Sequence, residues 1–338
     1  MKKVKFAVIG FGHIGRRHAT IINGHPACHL SAIVEVNRKA LDDDLIPDGV
    51  PTYSSIIDMF DAEDYPDVVT IATPNGVHCS LAVEALKHNC HVVIEKPMGL
   101  TREECEQVIS TAEDHAKQVF VVKQNRYSPP SKWLKEIVSQ KIIGDPLIVQ
   151  VNCFWNRDQR YYKAGNWKGS KDLDGGSLFT QFSHFVDIMY WVFGDITNIQ
   201  SKIRDFTHQQ LTDFEDSGSV LFDFVNGGMG SIHFSTSVWD SNLESSITVI
   251  GSKGSLKIGG QYMNEIEYCH IENYQMPELD PTNPPNNYGP YRGSAANHHF
   301  VIDNVVNTLL GKDTVTTNAT EGMMVVDIIE RIYNAALD

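Results

Sequence analysis

The chain has 338 residues, of which 42% are hydrophobic, and this length and composition fit two domains with a core each. Its formal charge of -14 excludes a general nucleic-acid-binding protein, because such a surface repels a polyanion. No apolar run is long enough to cross a membrane or to act as a secretory signal, so we expect a soluble protein without membrane contact.

The cysteines and histidines argue against a disulfide framework and against a metal site. The six cysteines include no Cys-x-x-Cys pair, which predicts reduced thiols in the cytoplasm. His298 and His299 are adjacent, but neighbours on a helix point in different directions, and only Asp303 lies near them in sequence. We therefore predict a cytoplasmic chain without a bound metal.

The first predicted element is a strand that opens into a glycine turn. The apolar run Val4–Ile9 precedes a Gly-x-Gly-x-x-Gly segment at residues 10–15. Gly10 permits the tight turn, Gly12 lets the backbone approach a pyrophosphate, and Gly15 lets the following helix pack on the strand. The amino terminus of that helix offers free N–H groups to the anion, so the segment predicts a dinucleotide site.

The next predicted strand, Leu30–Val34, ends at Glu35, twenty residues after Gly15. A carboxylate at this strand end accepts hydrogen bonds from the adenosine ribose and repels a 2′-phosphate. The spacing therefore favours NAD over NADP, although Arg38 nearby leaves NADP open.

Short apolar runs then alternate with helix-like segments as far as about residue 120. This βαβ rhythm predicts one parallel sheet with right-handed crossovers, and we assign residues 1–125 to an α/β Rossmann dinucleotide-binding domain. The remaining runs of this region are 67–72, 80–88, 91–94, 103–117 and 119–122.

After Asn125 the rhythm changes to β-branched runs that follow one another without long helices from Ile196 onward. Turn signals at 226–228 and 252–254 separate some of these runs, so we predict an α+β domain over 126–338 with a mainly antiparallel open sheet. A long irregular loop is predicted over 277–290. The predicted strands are 147–154, 196–204, 218–225, 230–237, 245–250 and 255–258.

The strands in residues 218–237 carry apolar residues at alternating positions on both sides of their turn. One face of the sheet would pack on helices and the other would be available to a partner, so we expect a homo-oligomer.

Polar motifs follow three predicted strands of the first domain, where ligand groups gather in a parallel sheet. They are Thr73-Pro74-Asn75-Gly76-Val77-His78, Glu95-Lys96-Pro97 and Lys123-Gln124-Asn125-Arg126-Tyr127. At these motifs the chain resembles the Gfo/Idh/MocA family of oxidoreductases over nearly its whole length.

The resemblance implies NAD as the cofactor, a homodimer or homotetramer, and a cleft with two catalytic groups. Lys96 matches the family lysine that contacts the reacting hydroxyl, and its peptide bond to Pro97 is often cis in the family. His184 matches the histidine that takes the hydroxyl proton. The expected cofactor-binding residues are Gly10, Gly12, His13, Ile14, Gly15, Glu35, Thr73, Asn75, His78, Glu95, Lys96 and Gln124.

The match around His184 departs from the family pattern at one position. Polyol-oxidising members carry an aspartate four residues before the histidine, and here that residue is Thr180. This difference favours a substrate other than inositol or glucose. Asp187, three residues after His184, could orient the imidazole ring instead. Taken singly, a packed helix histidine and a solvated lysine are simpler interpretations of His184 and Lys96.

A basic and aromatic island over residues 155–171 stands out in this acidic chain. Arginine and lysine side chains suit carboxylates and phosphates, and aromatic faces suit sugar rings or a uracil base. A solvated loop pinned by its aromatic residues is the simpler alternative. The expected substrate-binding residues are Asn125, Arg126, Tyr127, Arg157, Arg160, Tyr161, Trp167, Thr180, Gln181 and His184.

Within the family, Gln124–Tyr127, Gln181 and His184 look most like the bacterial dehydrogenases that oxidise carbon 3 of UDP-N-acetylglucosaminuronate, a nucleotide sugar used for surface polysaccharides. Two other functions stay open, a free-sugar or polyol dehydrogenase and a non-catalytic NAD-binding regulator. The base could be His184 or a Lys96 of lowered pKa. Some relatives reoxidise tightly held NADH with 2-oxoglutarate, so NADH could be released or recycled in place.

Overall fold

The structure, a computed structural model, describes residues 3–41, 44–62, 65–163, 166–289 and 291–336. The chain divides into two compact units, unit 1 with Met1–Lys123 and His298–Val326, and unit 2 with Gln124–Asn297 and Asp327–Asp338. The α-helices of the described residues are α1 (His13–Gly24), α2 (Ile56–Asp61), α3 (His78–Lys87), α4 (Arg102–Asp114), α5 (Pro129–Ser139), α6 (Ser183–Phe193), α7 (His298–Leu309) and α8 (Ala319–Asn334).

Unit 1 is built on a parallel sheet of six strands among its described residues, in the order β3-β2-β1-β4-β5-β6. The strands are β1 (Val4–Ile9), β2 (Cys28–Val34), β3 (Thr52–Tyr53), β4 (Val68–Ile71), β5 (His91–Ile94) and β6 (Val119–Val121). All four residues of β4 are buried, which is typical of a parallel strand covered on both faces. The strand order reverses between β1 and β4, and ligands of such sheets bind at the carboxyl ends there. The predicted Rossmann fold is confirmed.

The C-terminal part of unit 1 differs from the predicted division of the chain. We assigned residues 126–338 to the second domain, whereas residues 298–326 belong to unit 1. Helix α7 packs on α1 because its apolar residues, among them Val301 and Val305, are buried. His25 at the end of α1 also pairs with Asp303 of α7 at 3.2 Å. A helix that returns to the first unit through tertiary contacts carries no signal in its own sequence.

Unit 2 is built on a mixed sheet of seven strands among its described residues, in the order β13-β12-β11-β7-β10-β9-β8. Only β7 and β10 pair in parallel, so the predicted mainly antiparallel sheet is confirmed. The strands of unit 2 are β7 (Pro146–Phe154), β8 (Ile196–Arg204), β9 (Ser217–Phe224), β10 (Met229–Ser235), β11 (Glu244–Gly251), β12 (Gly254–Gly259), β13 (Glu265–Ile271), β14 (Pro285–Asn287) and β15 (Arg292–Ala295).

The sheet of unit 2 buries one face. Along β7, Val149, Val151 and Cys153 are buried, whereas Ile148 before them and Gln150 between them are exposed. This alternation is expected where helices cover one side of a sheet, and α6 packs against β7. The opposite face carries exposed polar and apolar side chains.

Three elements of unit 2 were not predicted as strands. The strand β13 is mostly exposed and lacks an apolar run, so its sequence Glu265–Ile271 gives little signal. The short strands β14 and β15 pair with each other, and β14 lies inside the predicted irregular loop 277–290. Pro290, at the end of that loop, lies outside the described residues.

Within the described part of the chain, no helix is both long enough and apolar enough to span a membrane.

Candidate functional site

The turn after β1 has the geometry predicted for a dinucleotide site. Gly10 adopts a φ of +86°, and a Cβ atom there would lie 2.6 Å from the carbonyl oxygen of Ala72, so the position requires glycine. A Cβ atom on Gly12 would meet no protein atom within 4 Å. Packing therefore does not demand glycine at this position, whereas close approach of a ligand to the backbone would.

The helix that follows this turn has an amino terminus suited to an anion. Helix α1 begins at His13 with Gly12 as its N-cap, and no side chain caps it and no acidic residue lies in its first turn. The uncapped N–H groups and the helix dipole favour a phosphate at this end.

Glu35 holds the turn from the end of β2. Its Oε2 atom accepts a hydrogen bond from the Phe11 N–H at 2.6 Å, and its Oε1 atom accepts one from the Asn37 N–H at 2.8 Å. A carboxylate has further lone pairs, so Glu35 can still accept from ribose hydroxyls. The residue thus shapes the turn in addition to its predicted contact with the cofactor.

His78 connects the Thr-Pro-Asn and Glu-Lys-Pro motifs. Its ring nitrogens lie 2.8 Å from the carbonyl oxygen of Pro97 and 2.9 Å from that of Thr73, and the side chain is buried. Burial lowers the pKa of His78, although the two carbonyls raise it, so the neutral ring donates to one carbonyl at a time. His78 therefore supports both loops, and its contact with a cofactor stays a prediction. Asn75, in the same motif, is also buried.

Glu95 belongs to a buried cluster that was not predicted. Its Oε1 atom accepts a hydrogen bond from His18 Nε2 at 2.8 Å and lies 3.6 Å from His298 Nε2. Burial raises the pKa of Glu95, but the hydrogen bond from His18 and neighbouring charges outweigh it and lower that pKa to about 2. Glu95 is therefore ionised at neutral pH. From its sequence, His298 was of interest only as a possible metal ligand.

Lys96 follows β5 and Glu95, and it is half-buried. Its backbone N–H donates to Glu95 Oε2 at 3.2 Å, and its peptide bond to Pro97 is cis, as the resemblance implied. The Glu95 cluster therefore fixes the backbone from which the Lys96 side chain extends.

The segment Gln124–Tyr127 begins unit 2 as a buried 3-10 turn. The carbonyl oxygen of Gln124 accepts from Asn297, and Asn125 Oδ1 accepts from the Ser294 hydroxyl at 2.5 Å. Gln124 Oε1 and Asn125 Nδ2 are buried and have no hydrogen-bond partner among the described residues. Such atoms fit a polar ligand, because a buried amide left unsatisfied costs free energy.

Arg126 in the same turn is bound inside unit 2. It donates to both carboxylate oxygens of Asp187 at 2.9 and 2.7 Å, and each side chain is 1% exposed. The pair connects the turn to helix α6, which also carries His184. Substrate contact by Arg126 and by Tyr127 stays a prediction.

A π-helix over Leu178–Phe182 leads directly into α6. This rare helix type is frequently found at functional sites. Thr180 donates its hydroxyl to the side chain and, at 3.1 Å, to the carbonyl oxygen of Asp174, which is fully buried. His184, in the first turn of α6, is 4% exposed. The carboxylate next to Thr180 comes from six residues earlier in the chain, outside the four-residue spacing of the family pattern.

Several described residues of the basic island are packed side chains and not parts of a solvated loop. Arg157, Tyr161 and Tyr162 are buried, and Lys168 Nζ lies 4.0 Å from the centroid of the Tyr161 ring. Gln181 joins the island to the π-helix, because it accepts from Arg157 Nε at 2.8 Å and donates to the Tyr161 hydroxyl at 2.8 Å.

Arg160 is neutralised within unit 2. It forms ion pairs with Asp158 at 2.9 Å and with Asp240 at 3.2 Å. Asp240 is distant from Arg160 in sequence, so the basic composition of residues 155–171 gave no sign of this pairing. Trp167 is only partly buried, and its substrate contact stays a prediction like that of Arg160.

No group of three or more histidine, cysteine, aspartate or glutamate residues is placed to hold a metal ion in the described ranges.

Two family models match the chain. The model of an oxidoreductase family with an NAD-binding Rossmann fold, GFO_IDH_MocA, matches residues 4–123, and the GFO/IDH/MocA C-terminal domain matches residues 132–257.

Solved structures match over the full length. The WlbA dehydrogenase of Bordetella pertussis, in complex with NADH and UDP-GlcNAcA, is 30% identical with a TM-score of 0.89, over 100% of this chain and 97% of that chain. The WlbA dehydrogenase of Chromobacterium violaceum, with the same ligands, is 29% identical with a TM-score of 0.89, over 100% of this chain and 95% of that chain.

A curated relative is similar over a shorter range. Glucose-6-phosphate 3-dehydrogenase of Bacillus subtilis is 25% identical over 227 residues, which are 67% of this chain and 63% of that protein. The family models and the full-length structural matches confirm the predicted family and the predicted cofactor. The chain belongs to the Gfo/Idh/MocA family of oxidoreductases, and its first unit is the NAD-binding Rossmann domain of that family.

Proposed function

We propose that this chain oxidises carbon 3 of UDP-N-acetylglucosaminuronate with NAD, in the synthesis of sugars for surface polysaccharides. The observation that carries this proposal is the full-length similarity, at 30% identity, to a dehydrogenase crystallised with NADH and UDP-GlcNAcA. The aromatic and basic island of unit 2 supports it, because a nucleotide sugar offers rings and oxyanions together.

The residues of unit 1 fit NAD as the hydride acceptor. The glycine turn and the amino terminus of α1 would hold the pyrophosphate, and Glu35 would accept from the adenosine ribose. Gln124 is the first residue of unit 2, and its buried Oε1 atom, which has no hydrogen-bond partner among the described residues, is suited to accept from a carboxamide.

The reacting hydroxyl of the sugar would be bound by Lys96 and His184. We assign His184 in its neutral form as the base that takes the hydroxyl proton, and the Lys96 ammonium as the group that stabilises the developing oxyanion. As the C–H bond at carbon 3 gives up its hydride, the oxygen becomes the carbonyl of a keto sugar. The alternative with Lys96 as the base differs only in where the proton goes.

Two other functions are separable from this one. A free-sugar or polyol dehydrogenase of the same family would turn over inositol, glucose or a sugar phosphate, as the name of the Bacillus relative indicates for that protein. A non-catalytic NAD-binding regulator would turn over none of them. The presence of both Lys96 and His184 favours an enzyme.

The deciding experiment is a turnover assay on the full chain. Purified protein is incubated with NAD and, separately, UDP-N-acetylglucosaminuronate, UDP-N-acetylglucosamine, inositol, glucose and glucose 6-phosphate, with and without 2-oxoglutarate. NADH absorbance and formation of 2-hydroxyglutarate are followed together, so recycling of the cofactor in place is detected as well. Specific turnover of the acidic nucleotide sugar supports the proposal. Turnover of a free sugar or polyol instead would support the free-sugar dehydrogenase. No turnover of any substrate would support the non-catalytic regulator.

We further propose a cytoplasmic homodimer or homotetramer. All six cysteines are free and five of them are buried, which fits a reducing compartment.

A further inference from the structure

Unit 2 contains a small polar cleft whose lining residues come from several separate segments of the chain. Its volume is about 210 Å³, room for one sugar ring or one nucleobase. Tyr291 contributes an aromatic face to it, and Arg292 contributes a guanidinium group. Three amide side chains also line the cleft, those of Asn156, Asn242 and Gln261. The one carboxylate among its described lining residues, Asp240, is paired with Arg160 at 3.2 Å.

Arg292 supplies a cation without a carboxylate partner. Its side chain is exposed and forms no ion pair within the described ranges, in contrast to Arg160, which pairs with Asp158 and Asp240. The backbone of Arg292 is held in place, because its carbonyl oxygen accepts from Arg157 at 3.0 Å and from Asn242 at 3.2 Å.

Arg157 adds a second, buried positive charge behind the cleft. Its guanidinium donates to the Asn156 carbonyl oxygen at 2.6 Å and to Asn242 Oδ1 at 3.2 Å, and it lies 5.2 Å from the centroid of the Tyr291 ring. All its hydrogen-bond acceptors are neutral, and no carboxylate of the described chain pairs with it. A buried charge with neutral partners leaves a positive potential, which attracts an anion.

On the basis of the proposed function, we propose that this cleft binds an oxyanion attached to a ring-sized polar part of the substrate, with Arg292 as its direct contact. Two groups of a uronate nucleotide sugar share this chemistry, the diphosphate next to the nucleoside and the carboxylate of the uronate. The amides of Asn156, Asn242 and Gln261 would bind ring hydroxyls or a base edge, and Tyr291 would pack on the ring.

The cleft acts on affinity and not on the chemical step. Arg157 reaches from the cleft residues to Gln181 of the π-helix at 2.8 Å, so an anion in the cleft is connected to the segment that precedes His184. Binding energy from a group that does not react lowers KM when ground state and transition state bind equally. Loss of the cleft should therefore raise KM more than it lowers kcat.

The test is equilibrium binding to the full chain by calorimetry, with UDP and with free glucuronate as separate probes. Arg292→Gln removes the cation, and Ser241→Trp fills the cleft from a position on its lining whose side chain forms no hydrogen bond with the described residues. Arg204→Gln, on β8 of the same unit, is the control for loss of an exposed arginine. We expect both cleft variants to lower the affinity for one probe by about tenfold or more, and the control to change that affinity by less than about twofold.

The probe whose affinity falls in the cleft variants identifies the group that the cleft binds. A lower affinity for UDP indicates the diphosphate, and a lower affinity for glucuronate indicates the carboxylate. Unchanged affinity of both cleft variants for both probes would overturn the proposal, and so would a wild-type chain that binds neither probe. Turnover of UDP-N-acetylglucosaminuronate is measured in parallel. If the wild type turns over the substrate but the cleft variants bind both probes normally, the proposed cleft is wrong and the proposed function stands. If the cleft variants lose affinity but the wild type shows no turnover, the proposed function is wrong and the cleft stands.

Discussion

Lys96 and His184 are the two side chains on which the proposed chemistry depends. Each acts on the reacting hydroxyl, so Lys96→Ala and His184→Ala should each lower kcat by about a hundredfold or more, with NAD affinity nearly unchanged. Thr180→Ala should have a smaller effect, because Thr180 bonds to Asp174 and removes no proton. Steady-state kinetics and NAD titration of the three variants measure this. Near-normal turnover by His184→Ala would show that the histidine is structural.

Glu35 has two roles that substitution can separate. Glu35→Ala removes both the charge and the acceptors for the Phe11 and Asn37 N–H groups, so it should also lower the affinity for NAD. Glu35→Gln keeps one acceptor and removes the charge that repels a 2′-phosphate. We expect the ratio of the affinity for NAD to the affinity for NADP to fall by about tenfold in Glu35→Gln. Calorimetry with both cofactors measures this ratio. Equal affinities of the wild type for NAD and NADP would contradict the role of Glu35.

At the scale of elements, the start of the π-helix is anchored by a buried carboxylate. Glu215 Oε1 accepts from the Ser177 N–H at 3.1 Å, from the Ser177 hydroxyl at 2.6 Å and from the Tyr333 hydroxyl at 2.7 Å. Tyr333 also accepts from the Leu178 N–H at 3.2 Å. Burial raises the pKa of Glu215 to about 7, against hydrogen bonds that lower it.

This raised pKa predicts a stability that falls as the pH rises. Between the ordinary pKa of 4.5 and about 7, the folded chain holds a proton that the unfolded chain releases, so a higher pH favours unfolding. From about pH 5 to pH 8, the wild type should lose roughly 2–3 kcal/mol of unfolding free energy relative to Glu215→Gln. Urea unfolding at both pH values measures the difference, with the exposed Glu278→Gln as control. Parallel pH profiles of wild type and Glu215→Gln would contradict it.

At the scale of the whole molecule, the uncovered face of the sheet in unit 2 is where we expect subunits to associate. Met229 and Ile250 are in register with Ile148 between them, and Leu221 shares the same face. All four side chains are exposed. Association would remove this apolar surface from water.

Sedimentation velocity at micromolar concentration should therefore show a dimer or tetramer. Leu221→Lys combined with Met229→Lys should shift the protein toward monomer, because desolvating the added charges is unfavourable. Val36→Lys, at an exposed apolar residue of unit 1, should leave the assembly unchanged. A wild type that sediments as a monomer would show that the open face serves another purpose.

Local features of this protein could be predicted from its amino-acid sequence alone. The glycine turn, Glu35 after β2, and the Asn-Gly-Gly turn between β9 and β10 depend on residues close together in the chain, and their geometry was predicted correctly. The family and its NAD cofactor followed from such motifs.

Tertiary structure decided the features that join distant residues. Glu95 meets His18 and His298, and Arg160 meets Asp240, through contacts that span more than seventy residues. Helix α7 belongs to unit 1 for the same reason, because its apolar face packs on α1. Periodicity and motif spacing describe neighbours along the chain, whereas burial and charge pairing depend on which segments the fold brings together.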